Sequence, residues 1–165
     1  MMMSEREAGL LSWLESSALA VWVRESMWAY PTIETAHILG FTVLVGGAVM
    51  FDLRLLGFTR ALPIVAAGHH LLRWSRLSVV VVVPTGIMLF MTQATETWAN
   101  MAFRLKLLLL AIAGLNALVF HLWTHKSVEE WEQRPTTPIR AKAAALLSII
   151  VWAGVITCGR LIAYV

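Results

Sequence analysis

The chain has 165 residues, 59% of them apolar and only 14% charged, and a mean hydropathy of +0.73. Soluble domains carry about 25% charged residues, so this composition excludes an ordinary soluble fold and predicts an integral membrane protein. The net charge of +3 comes from scattered cations without interleaved aromatics, which argues against a nucleic-acid partner, and a single cysteine, Cys158, excludes an internal disulfide and any CxxC site.

Residues 1–30 read as an N-terminal arm. Glu5, Arg6 and Glu7 come first and Glu15 interrupts the apolar run, so no cleavable leader is expected. Leu10, Leu11, Trp13, Leu14, Ala18 and Trp22 alternate with Ser12, Glu15, Ser16 and Ser17. The uninterrupted stretch Ala18–Val23 is far too short to cross a bilayer. The pattern predicts an amphipathic helix lying in the interface plane, with a cap over the helix bundle as the alternative.

Residues 31–165 carry four apolar runs, measured as gaps between charges: 17 residues over Thr35–Phe51, 19 over Leu77–Thr95, 19 over Leu107–His125 and 17 over Ala143–Gly159. A helix crossing the hydrocarbon layer needs roughly 17–25 residues. With flanking residues added, the spans are expected at about 32–56, 71–95, 103–124 and 141–163. Runs this long are helices, because backbone groups in lipid must pair within the segment. Trp28, Trp74, Trp98 and Trp123 sit at the predicted ends, where indoles favour the interface. Pro31 fits a first helical turn, Pro84 predicts a kink in the second span, and Pro135 and Pro138 mark the loop before the fourth. The fold class is therefore all-α, an integral membrane four-helix bundle with an N-terminal interfacial amphipathic helix.

Orientation follows from Lys and Arg asymmetry. Side A is the face where the first span begins; side B is the opposite one. Side B receives Arg54, Arg60, Arg73, Arg76, Lys126, Arg134, Arg140 and Lys142, and side A receives Arg6, Arg24, Arg104, Lys106 and Arg160. Side B is the expected cytoplasmic face of a bacterial inner membrane, with both termini periplasmic.

Ionisable side chains within spans are costly and mark functional positions. His37 lies about two turns into the first span, with Gly40 and Gly47 following at three and ten residues. An imidazole beside small residues suits a haem iron, whose porphyrin needs a flat, unobstructed face; close helix packing is the alternative use of such glycines. His121 stands near the side-B end of the third span, with His125 one turn later, and His69 and His70 open the second span on the same side. At 1.5 Å per residue, His37 lies about 9 Å beyond Pro31 and His121 about 27 Å beyond Phe103. The two histidines cannot share one iron, so two sites are expected, or one histidine is not a ligand. A side-A haem needs a second ligand such as Met88 or Met91, or stays five-coordinate; a side-B haem can pair His121 with His69 or His70. Lys106, Arg104 and Arg54 are candidates for propionate or substrate contacts, with salt-bridge pairing of the charges (Glu34 and Arg160 among them near side A) as the alternative. On side B, His121, His69, His70 and Asp52 also form a candidate copper or zinc site, since imidazole suits both metals. Cys158 reads as a packing residue.

The string from Trp28 through Pro31, Glu34, His37 and Gly40 continues to Gly46-Gly47 and Asp52-Leu53-Arg54-Leu55-Leu56-Gly57. It resembles a family of small bacterial four-span membrane proteins without an assigned activity, and the segment from Phe103-Arg104-Leu105-Lys106 to Asn116 and His121 resembles that family's second block. A looser pattern, an early-helix histidine followed by glycines and a charge at the helix end, resembles HemJ-type protoporphyrinogen oxidases and copper-resistance D-type membrane proteins. That resemblance implies haem b on His37 and redox chemistry with a quinone or porphyrin.

The expectation is a membrane-embedded cytochrome b-like protein binding one or two haems b non-covalently, CxxCH being absent. It is expected to pass electrons between a membrane carrier and an unidentified partner, and to associate as a homo-oligomer or with a redox subunit. The alternatives are a histidine-based metal-handling or transport protein and a non-catalytic structural subunit.

Overall fold

The computed structural model describes residues 5–58, 63–124 and 137–164. The described residues form α1 (Glu5–Glu15), α2 (Ala18–Glu25), α3 (Ala29–Leu56), α4 (Ile64–Thr92), α5 (Ala94–Ala99), α6 (Met101–Val119) and α7 (Ile139–Leu161), with no strand among them. A π-helical turn, Phe120–Thr124, extends α6. Four helices are long and apolar enough to cross a membrane: Ala29–Leu56, Ile64–Thr92, Met101–Leu122 and Ile139–Leu161. These overlap the four expected spans, with ends displaced by up to seven residues. The second begins earlier than its charge gap, because Pro63 supplies the N-cap and the helix carries His69, His70, Arg73 and Arg76 before its apolar part.

The arm is two helices rather than one. Ser16 Oγ donates to the Trp13 carbonyl at 3.0 Å and Ser17 Oγ to the Leu14 carbonyl at 2.7 Å. Such local bonds compete with the helical ladder, so α1 stops there. Ser17, in extended conformation, then caps α2 by accepting from Ala20 N–H. The pair docks on the side-A end of the bundle, α1 against α5 and α4, α2 against α4 and α3. Two long-range bonds hold it. Glu15 Oε1 accepts from the Thr95 amide at 2.7 Å, at the start of α5, and Arg24 donates to the Thr92 carbonyl at 3.0 Å, at the end of α4. The arm is thus a cap, and its outer surface still presents Leu10, Trp13, Leu19, Trp22 and Trp28, the composition of a membrane-interface contact. Glu15→Ala removes the acceptor for an otherwise orphaned helix-start amide. Caps of this kind contribute typically about 1 kcal/mol; the expected result is faster hydrogen exchange at Thr95 and earlier proteolysis within the arm.

The spans are not equally engaged. α3 packs most extensively on α4, α6 on α7, and α3 on α7, so α3 and α7 form the centre of the bundle. Toward side B a cluster of Phe51, Leu55, Ile64, Ala67, Phe120, Ala141 and Ala145 is buried, with Phe51 edge-on to Phe120 at 5.8 Å. In the middle, Val45, Ala113, Val151, Trp152 and Val155 form a second cluster, where Phe41 meets Trp152 edge-on at 6.0 Å. Near side A, Phe90 of α4 stacks on Phe103 of α6 at 5.2 Å.

The contact between α3 and α4 is close enough to need glycine. A Cβ on Gly47 would stand 2.9 Å from the Leu71 carbonyl oxygen and 3.1 Å from Ser75 Cβ. Beside it, Ser75 Oγ donates to the Leu44 carbonyl at 2.8 Å, the kind of interhelical bond that small polar residues make in membranes. Gly57 ends α3 in the left-handed region, φ 103°, with Phe58 N–H and Gly57 N–H returning to the Leu53 and Arg54 carbonyls, a Schellman closure. α4 is continuous through Pro84.

Candidate functional site

His37 is held between α3 and α4. Its Nδ1 lies 3.1 Å from the Val82 carbonyl oxygen and 3.0 Å from Thr85 Oγ1. Thr85 Oγ1 itself donates to the Val81 carbonyl at 2.6 Å. The carbonyl can only accept, so the tautomer these contacts favour carries its proton on Nδ1 and leaves the Nε2 lone pair available. The ring reaches α4 because Gly86 offers no side chain there: a Cβ on Gly86 would stand 3.0 Å from His37 Cε1. Pro84 sits between the two α4 partners; lacking an N–H, it interrupts the helical ladder beside them.

The other two spans contribute from the far side. Lys106, about one and a half turns into α6, directs its ammonium group toward α7 beside Gly159. A Cβ on Gly159 would stand 3.7 Å from the Lys106 ammonium nitrogen, so the glycine leaves the cation its room. His37 and Thr85 join α3 to α4, and Lys106 of α6 lies beside Gly159 and near Cys158 of α7; these four polar residues all belong to the side-A half of the bundle.

The neighbouring cations have other contacts. Arg104 donates from Nε to the Trp98 carbonyl at 2.8 Å and lies 5.9 Å above that indole. Arg160 bonds to the Tyr164 hydroxyl and covers its ring at 4.9 Å. Arg54 is partly buried near the opposite end of α3.

His69, His70 and His121 face outward. His69 and His70 open α4, about 20 Å along that helix from the His37 contacts, and His121 lies on the π-helical turn, whose principal neighbours are α6 and α7. Among the described residues no three His, Cys, Asp or Glu side chains come together as a metal-holding group. His125 lies outside the described residues. Gly40 and Gly47 face α4, filled by Val81 and Val82 and by Leu71 and Ser75 respectively, so this glycine face packs helices rather than lying open. A groove of about 420 Å³ runs between α3 and α4 along Leu39, Gly40, Trp74, Leu77 and Val81, and none of the four polar site residues lines it.

Sequence reasoning found His37 and Lys106 from their cost in a membrane. It passed over Thr85 as a partner, although a hydroxyl next to a mid-span proline is a visible signal.

Four apolar spans and a docked N-terminal cap define a multi-pass helical membrane protein. The chain belongs to DUF6644, a family of unknown function, whose model matches residues 10–165, arm included. Comparison with curated proteins and with solved structures finds no match, and nothing supports the HemJ-type or copper-resistance D-type resemblance.

Proposed function

We propose that this protein is a membrane-embedded, cytochrome b-like electron carrier that binds haem b on the side-A site, with His37 as the iron ligand. The observation that supports it is the His37 ring itself. An imidazole whose Nδ1 is engaged by a backbone carbonyl has a fixed orientation and a free, more basic Nε2, the arrangement metal-ligating histidines adopt. The Lys106 cation, in the same half of the bundle and beside Gly159, suits a carboxylate such as a propionate. Among the described residues no second histidine lies at this depth, so His37 would be the one histidine to hold the iron here. When bound, haem supplies one-electron chemistry; the chain's residues orient the ligand, keep water from the site and set the local charge.

The filled glycine face favours a second reading. With Gly40 and Gly47 taken up by α4, the same histidine and lysine suit a smaller occupant, the carbonyl head group of a quinone, whose reduction needs proton donors. On either reading the partner is a membrane carrier. The eight-to-five cation count supports side B as cytoplasmic in a bacterial inner membrane.

The test is the reduced-minus-oxidised spectrum of detergent-purified protein expressed with a haem supply, with a pyridine haemochrome assay. About one haem per chain is the expected result; a preparation that stays colourless despite haem supply overturns the haem reading and leaves quinone binding to be measured. Thr85→Val removes one contact to Nδ1 and keeps the Val82 carbonyl. Loss of such supporting contacts typically weakens metal affinity about 10- to 100-fold, read here as the haem concentration needed for half-saturation.

A further inference from the structure

A second polar position lies in the other half of the bundle. Asp52 is only 7% exposed, enclosed between α3 and α7, where Ser148 is its hydrogen-bond partner. Its Oδ2 is buried and has no hydrogen-bond partner among the described residues. One turn of α7 away, Asn116 Nδ2 of α6 donates to the Ala144 carbonyl at 3.1 Å, so three spans place polar groups at this level.

The orphan oxygen discriminates between the two forms of the acid. In a carboxylate the charge is shared by both oxygens, and a buried charge with one hydroxyl donor carries a desolvation penalty of several kcal/mol. In the neutral acid, one oxygen carries the proton and bonds to Ser148, whose hydroxyl both donates and accepts. The other is then an ordinary carbonyl oxygen, whose lack of a partner costs only about 1–3 kcal/mol. A buried carboxyl with one unpartnered oxygen therefore costs less as the neutral acid than as the carboxylate.

We propose that Asp52 is a proton-binding site of the membrane interior, its carboxyl loaded with a proton that is bonded to Ser148 and exchanged with side B. The route is short, because Asp52 lies about 7 Å along α3 from its end at Gly57. Release leaves a carboxylate and a free proton, with no change of oxidation state, and requires a water or cation to reach Oδ2. The site is independent of the haem reading, and about 22 Å of α3 separates it from His37.

The charged and titratable groups described at this end are Arg54 on α3, His69, His70, Arg73 and Arg76 on α4, His121 on the π-helical turn, and Arg140 and Lys142 on α7. They are common to wild type and to Asp52 variants, so a difference measurement isolates the carboxyl. Infrared spectroscopy of the purified protein at neutral pH is expected to show a protonated-carboxyl band that shifts in heavy water, disappears in Asp52→Asn and moves to higher frequency in Ser148→Ala. Asn keeps the shape and a partner for Ser148, so Asp52→Asn is expected to melt at the wild-type temperature or above it, with a shallower fall as pH rises. Absence of the band in wild type, or its persistence in Asp52→Asn, overturns the proposal. A band present in choline buffer and abolished by sodium assigns the site to a sodium ion instead. If Asp52→Asn does not fold, the Ser148→Ala shift decides alone, and an unmoved band rejects the assignment.

Discussion

Replacing Gly47 by alanine is expected to destabilise the bundle by about 1–3 kcal/mol, the usual cost of overpacking a tight contact. The added methyl would sit 2.9 Å from a backbone oxygen, Leu71 O, and 3.1 Å from Ser75 Cβ. Neither atom is the far end of a flexible chain, so the two helices must separate. Separation also stretches the Ser75–Leu44 bond and, about two to three turns further toward side A, the contacts that hold His37 against Val82 and Thr85. Gly46→Ala and Gly114→Ala are the controls, since nothing lies within 4 Å of a Cβ at either position. Changes of this kind usually stay within about 0.5 kcal/mol. Thermal unfolding in detergent separates the three variants. A Gly47→Ala protein as stable as Gly46→Ala would show that α3 and α4 pack less closely than the backbone approach implies.

His37→Ala is expected to remove the whole haem signal while leaving helical content and melting temperature of the apoprotein within the range of conservative variants. The imidazole makes the iron bond on the proposed reading, and its loss leaves a space that added imidazole can enter, so partial recovery of the spectrum with imidazole is the accompanying result. Retention of half the signal would place a second haem elsewhere, with His121, His69 and His70 as the residues to change next. An unchanged spectrum rejects His37 as the ligand.

The spans were legible because lipid leaves a chain few options: an uncharged run long enough to cross must be a helix, and Thr35–Phe51 or Leu107–His125 admit no other form. The break in the arm was less visible. Ser16 and Ser17 read as the polar side of one helix, whereas their hydroxyls turn back to the Trp13 and Leu14 carbonyls. The histidines illustrate the same limit. Cost in a membrane picks out His37 and His121 alike, but periodicity does not say that α4 will meet one and leave the other facing outward. That depends on which helices become neighbours, which is written in long-range packing such as Gly47 on Leu71. Asp52 was noticed for its charge, while Ser148, a single hydroxyl in an apolar run, became meaningful only beside it.

The docked arm imposes an order on biogenesis. Glu15 and Thr95 are 80 residues apart, and Arg24 and Thr92 are 68 apart. At a synthesis rate of about 5–20 residues per second, Glu15 waits roughly 4–16 s for its partner to be made. During that interval Leu11, Ala20 and Val23, which the docked arm buries, lack the helices they pack on, so the lipid interface serves as the arm's holding place until the second span is in position.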